Sequence, residues 1–416
     1  MAKNIVIIGG GVIGYCTAYY LAQSGHKVTI LEKSMERDGC SYGNAGMIVP
    51  SHFIPFVAPG IIKKGLKWML KRDSPFSIKP RLNLDLFRWV WHVYNNANKS
   101  HVKHTAPILA SLSQWSRELF SDLNNSLPDD FDFKEKGLLM LYKSAEAEAE
   151  EIETAELAGK LGIKTQVLTN EELSQLDGGA EYNVRGAVYY PNDAFLDPMR
   201  FMISLEKSLL QMGVTIENGC VVNRVSSDHK VVRSVATNKG EYEADEFVLC
   251  AGIYSSLLAK SLGLNLPMQG GKGYSITLEN PGPLPEICSI LLEARVAITP
   301  IGNSLRLAGT MEIAVLDFKI SRKRVEGYLK SVQNYLPDYK YSDLENGQVW
   351  VGLRPCSPDG LPFIGRTSKF SNLLVGTGHA MLGLSLAPAT GKLLTDIINE
   401  EAISLDINHF SPDRFN

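Results

Sequence analysis

The sequence predicts an α/β fold: a parallel, doubly wound sheet carrying an inserted α+β unit with an antiparallel sheet of its own. Three observations predict it. Residues 4–34 run through an apolar strand, a glycine-rich turn, a helical stretch and a second strand, in βαβ order. Strand-then-helix pieces return at 243–263 and 372–398. Between them the texture changes: 51–190 is helix-prone, and 271–344 holds alternating strand-like pieces such as YSITL, RVAITPIG and SLRLAGTME.

Bulk properties agree. A chain of 416 residues implies two or three domains at roughly 100–200 residues each. Hydrophobic residues are 44% and charged residues 21%, ordinary for a globular core. A net charge of −3 gives no reason to expect nucleic acid as a partner. Six cysteines without a CxxC pair fit a reducing compartment and argue against a disulfide framework or a metal site. No apolar run reaches the ~18–20 residues of a membrane span. The opening stretch is not a secretory signal, because Gly9, Gly10 and Gly11 break it and no small-residue cleavage site follows. A cytoplasmic location is expected.

Taken in order, residues 5–8 form a strand buried on both faces. Gly9-x-Gly11-x-x-Gly14 turns the chain, and Val12 and Ile13 open a helix that runs to Ser24 and stops at Gly25. Residues 27–31 form the second strand, with Glu32 and Lys33 at its end. Gly9 permits the tight turn, Gly11 lets a pyrophosphate approach, and Gly14 lets helix and sheet pack closely. The helix N-terminus favours phosphate. Glu32, 18 residues after Gly14, stands where an acid takes the ribose hydroxyls. The pattern is a dinucleotide site.

The next stretch, CSYGNAGMI at 40–48, separates two dinucleotides. A nicotinamide enzyme usually continues there into another βαβ unit. A loop of Ser41, Gly43, Asn44, Ala45, Gly46 and Met47 instead suits a flavin edge approached by backbone N–H groups. Val222 offers backbone groups to an adenine. Ala251 and Gly252 let the chain pass close to the dinucleotide. Gly378, His379, Leu382 and Gly383 lead into a last helix whose N-terminus would stabilise charge on a reduced flavin.

On these motifs, and on FLDPMRF (195–201), GGKGYSITL (270–278), RPCSPDGLPFIG (354–365) and GHAMLGLSLAPATG (378–391), the chain resembles the D-amino-acid oxidase-like FAD oxidoreductases. With the segment 58–82 it is most similar to the bacterial D-amino-acid dehydrogenase type. The resemblance spans the whole chain. It implies a Rossmann-type FAD-binding domain from 1–50, 191–270 and 345–416, and an inserted α+β substrate domain from 51–190 and 271–344. It implies FAD-dependent oxidation of D-amino acids, or of D-imino acids such as proline and hydroxyproline isomers, with electrons passing to a quinone or another carrier. A glycine- or sarcosine-type oxidase uses the same parts, and a flavin-holding scaffold subunit is a third reading.

Such a reaction needs a cation for the substrate carboxylate more than it needs a triad. Arg354 is the candidate, a role the resemblance carries over; a structural alternative is pairing with Asp359 or a backbone carbonyl. Tyr274 is expected to donate to the same carboxylate, or to pack between sheet and flavin. Lys272 is expected at the flavin face, or else as an exposed edge lysine. His52 and His379 are pocket candidates, with His379 a poor base at a helix start. Cys356 raises the question of a covalent tether, and non-covalent FAD is favoured. Arg295 and Arg306 are not separable from surface arginines. The glutamate-rich run at 144–162 is expected to be a solvated helix face. The basic stretch 60–72 either touches a membrane surface or packs with its lysines exposed.

Overall fold

The protein is described by a computed structural model over residues 1–62, 65, 76–78, 83–313 and 316–416. Most of the basic stretch at 60–72 lies outside the described residues.

A six-stranded sheet runs in the order Phe363–Arg366, Leu373–Thr377, Glu246–Leu249, Asn4–Ile8, Lys27–Leu31, Thr215–Glu217. All neighbours are parallel except the first pair. Alternation along its strands divides two cores. Ile5, Ile7, Val28, Ile30 and Val248 pack on the helices Val12–Gln23, Pro198–Gln211 and Ala387–Asn399. Val6, Ile8, Leu31 and Phe247 pack on the opposite side with Val232 and Val235, from a three-stranded antiparallel sheet. Burial on both faces is what the unbroken β-branched run requires.

The second unit is a nine-stranded mixed sheet. Gln269–Glu279 is paired on one side with Gln348–Cys356 and on the other with Ser304–Ile313, both antiparallel. Gln348–Cys356 therefore belongs to this sheet, although its residues fall in the stretch expected to be dinucleotide-binding. The helix Arg322–Tyr335 covers one face with Val325, Tyr328, Leu329 and Val332.

The helix Ala145–Lys160 departs from expectation at one residue. Glu151 is buried, and Tyr190 donates its hydroxyl to Glu151 Oε1 at 2.8 Å. Burial pushes this carboxyl up to about 7.

Candidate active site

Four adjacent parallel strands end at one edge of the six-stranded sheet, where ligands of such sheets bind. Gly9 follows the first strand, Glu32 the second, Cys250 to Gly252 a third and Gly378 a fourth. The glycines behave as a dinucleotide turn requires. Gly9 has φ +112°, and a β-carbon on Gly14 would stand 2.0 Å from Gly9 O. The first N–H groups of the helix Val12–Gln23 have no acceptor within the helix. Ser41 Oγ accepts the Val12 N–H at 2.8 Å, which holds the loop against the turn. Glu32 is oriented by two donors, Gly10 N–H at 2.7 Å and Ser34 N–H at 2.8 Å. Lys33 lies over the Tyr254 ring. Thr377 Oγ1 donates to Gly252 O at 2.9 Å and ties the third strand end to the fourth. Val222 begins the three-stranded sheet nearby, and Cys220 N–H is bonded to Glu32 O.

The loop at 43–47 is the seam between the two sheets. Three side chains of the nine-stranded sheet take three successive carbonyls of it: Ser275 on Gly43 at 2.7 Å, Arg306 on Asn44 at 3.1 Å and Thr299 on Ala45 at 2.6 Å. Asn44 Oδ1 accepts the Gly46 N–H at 2.9 Å, and Met47 pairs with Phe195. The Trp350 ring closes over the loop, so that a β-carbon on Gly43 would meet it at 2.2 Å. Arg306 is thus distinguished from the surface arginines. Ser275 lies within GGKGYSITL without being singled out there, and Thr299 and Trp350 fall in none of the motifs.

Ser275 also settles which face of the strand Gln269–Glu279 meets the loop. Gly271, Gly273, Ser275 and Thr277 share that face, and Lys272, Tyr274, Ile276 and Leu278 point the other way. The expected roles of Tyr274 and Lys272 are corrected by this. Tyr274 is buried in the cluster under the helix Arg322–Tyr335, and its hydroxyl accepts the Ser321 N–H at 3.3 Å. Lys272 is 1% exposed, ion-paired with Asp317, and 4.0 Å from Glu312. It is neither at the loop face nor an exposed edge lysine.

Arg354 is on the loop face, opposite Gly271. Its guanidinium lies on Gly273, where a β-carbon would stand 1.9 Å from Nη1. Nη1 donates to Thr310 O at 2.9 Å. Thr310 has φ +63° and sits in a bulge that inserts an extra residue opposite Gly273. Asp359 does not pair with Arg354: both its oxygens are held by Arg414, at 2.7 and 3.1 Å. Among the described residues no carboxylate pairs with Arg354. Burial lowers its pKa below the ordinary guanidinium value, and it stays charged at any working pH.

The strand of Arg354 runs on to the turn before the last helix. Ala380 N–H donates to Pro355 O at 3.0 Å, and Cys356 bridges His379. Trp89 Nε1 donates to Cys356 O at 2.9 Å. A cleft beside this junction is lined by His52, Phe56, Gly360, His379, Ala380 and Leu382. His379 Nε2 lies 2.9 Å from Thr390 Oγ1, and burial holds the imidazole down to about 3, so it is neutral and no proton donor near neutral pH. Burial pushes the Cys356 thiol up to about 12, which leaves it a poor nucleophile.

The model of the FAD dependent oxidoreductase family matches residues 4–397. The chain belongs to that family. A D-amino acid dehydrogenase of Granulibacter bethesdensis is 30% identical over 412 residues, 97% of each chain. One of Neisseria meningitidis is 31% identical over 423 residues, 99% of each chain. Among solved structures, glycine oxidase from Geobacillus kaustophilus superposes with a TM-score of 0.80 at 23% identity, covering 100% of this chain and 99% of its own. L-proline dehydrogenase from P. horikoshii superposes at 0.75 and 19% identity, covering 100% and 98%. These two likenesses establish the α/β fold. The turn at Gly9 to Gly14, the oriented Glu32 and the anchored loop fit the FAD of the family.

Proposed function

We propose that the protein oxidises D-amino acids, or D-imino acids such as D-proline, at Cα and passes the electrons to a quinone or another carrier. Bound FAD supplies the acceptor for a hydride from Cα. Arg354 holds the substrate carboxylate through the N–H donors that Thr310 leaves over. Gly273 and Gly271 leave the room for it, and the residues of the cleft by His379 enclose the side chain. The observation that carries the reading is the Arg354 guanidinium on the loop face, with which no carboxylate pairs among the described residues. The dehydrogenase relatives, alike over nearly the full length, support the D-amino-acid class.

We place the protein in the cytoplasm, touching the inner face of the cell membrane. The basic stretch at 60–72 and the exposed Phe87, Trp91 and Tyr94 of the helix Leu84–Asn96 support contact with such a surface. Among the described residues no helix is long and apolar enough to cross a membrane.

The test is the flavin absorbance of the purified protein under nitrogen, with D-amino acids, L-amino acids, glycine, sarcosine and hydroxyproline isomers added in turn. Bleaching by D-amino or D-imino acids, with slow recolouring in air, is the expected result. Bleaching by glycine or sarcosine with fast recolouring would establish the oxidase instead. Arg354→Ala should lose affinity for the carboxylate substrate; indifference to that change would overturn its role.

A further inference from the structure

Ser51, His52 and Asp193 form a hydrogen-bonded row. Asp193 sits, fully buried, in the turn between Gly186–Tyr190 and Ala194–Phe195. Its Oδ1 accepts the Ser51 N–H at 3.1 Å, and its Oδ2 accepts the Ser51 hydroxyl. Ser51 Oγ lies 3.0 Å from His52 Nδ1. His52 is on the wall of the cleft, and among the described residues its Nε2 has no hydrogen-bond partner.

Counting hydrogens orders the row. The Ser51 hydroxyl proton is committed to Asp193, so Ser51 Oγ accepts from His52. Nδ1 then carries the imidazole proton, and Nε2 presents a lone pair. The charges around the row agree. Burial, and then Arg295, hold His52 down to about 4. Burial pushes Asp193 up to about 7, against its Ser51 bonds and Arg117. Tyr189, Tyr190 and Cys288 beside Asp193 are raised by burial and stay neutral near pH 7, and His379 across the cleft is neutral too. Asp193 holds a proton more tightly than His52 does, so a proton that enters the row comes to rest on the carboxylate.

We propose that His52, Ser51 and Asp193 relay the proton that the substrate's ammonium group loses before hydride leaves Cα. This rests on the amino-acid reading of the site. Hydride departure builds positive charge at Cα, which only an amine with a free lone pair can stabilise. In the relay an N–H bond of the ammonium breaks, its electron pair stays on nitrogen, and the proton bonds to His52 Nε2. The Nδ1 proton passes to Ser51 Oγ, and the Ser51 hydroxyl proton passes to Asp193 Oδ2. The substrate becomes a neutral amine, Asp193 a neutral acid, and His52 a neutral imidazole of the other tautomer. No oxidant is consumed in these steps.

The experiment follows flavin bleaching of the holoenzyme by D-alanine and D-proline, without oxygen, from pH 6 to 10. Wild type, His52→Ala and Ser51→Ala are compared. In the wild type the rate at low substrate rises and levels off above about pH 7, as Asp193 ionises. In His52→Ala it tracks the substrate's own free amine, about tenfold per pH unit. The deficit is therefore large at neutral pH and closes in alkali. Added imidazole restores part of the rate, and Ser51→Ala shows a smaller deficit of the same shape. Propionate, a carboxylate without an amine, perturbs the flavin spectrum of His52→Ala with unchanged affinity. A deficit equal at every pH and unmoved by imidazole overturns the relay and leaves the function standing. A wild type that no D-amino acid bleaches overturns both.

Discussion

Arg354 lies flat on Gly273: a β-carbon at that glycine would fall 1.9 Å from Nη1 and 2.5 Å from Cζ. On the loop face of the nine-stranded sheet the Arg354 guanidinium has a bed bounded on one side by the Thr310 carbonyl. Gly273→Ala should push Arg354 off this bed. The expected result is a KM for the carboxylate substrate at least tenfold higher, with FAD content unchanged. Steady-state kinetics beside the flavin absorbance of the purified variant check it; an unchanged KM would show that the bed is not needed.

Arg354→Lys keeps the charge and loses the fork. A hydrogen bond to a charged group contributes about 1.5–3 kcal/mol, so kcat/KM should fall by roughly 10- to 150-fold. A loss confined to carboxylate substrates, read across a substrate panel, separates this from misfolding.

Gly14→Ala should abolish FAD binding. Its β-carbon, fixed in place by the backbone, would meet the backbone atom Gly9 O at 2.0 Å, and neither can swing aside. A colourless protein with native circular dichroism is expected, and one that remains yellow at full stoichiometry would contradict the turn's role.

Ser275→Ala with Thr299→Val should loosen the loop rather than unfold the protein. The pair removes two of the three side chains that take the carbonyls of Gly43, Asn44 and Ala45. FAD release into dilute buffer should become severalfold faster, at about 1 kcal/mol per hydrogen bond. Fluorescence of the freed flavin reads it directly.

Glu151 gives a pH signature. Its folded pKa of about 7 lies above its ordinary value of 4.5, so its contribution is present below about pH 4.5 and lost as pH rises through about 7. Glu151→Gln keeps an acceptor for the Tyr190 hydroxyl and removes that loss. The melting-temperature difference between variant and wild type should therefore move in the variant's favour from pH 5 to pH 8, by on the order of 2–3 kcal/mol in stability. A constant difference across that range would refute the shifted carboxyl.

The amino-acid sequence by itself determined the dinucleotide edge. A β-branched strand, three spaced glycines, a helix and an acid at a set distance are all local, and a dinucleotide turn is built from such a local pattern. It likewise determined the loop at 40–48 and the return of strand and helix at 372–398. It left the second sheet's side-chain directions open. Alternation in Gln269–Glu279 announces two faces, but not which of them meets the loop at 43–47. That depends on a helix from 322–335 covering one face and a loop from 43–47 crossing the other, which are far away in the chain. Packing alone turned Tyr274 and Lys272 away and Arg354 inward. Packing also gave Asp359 to Arg414, and brought Asp193 within bonding distance of Ser51, 142 residues earlier. A carboxylate's partner is a matter of which charges share a buried space, and only the folded chain decides that.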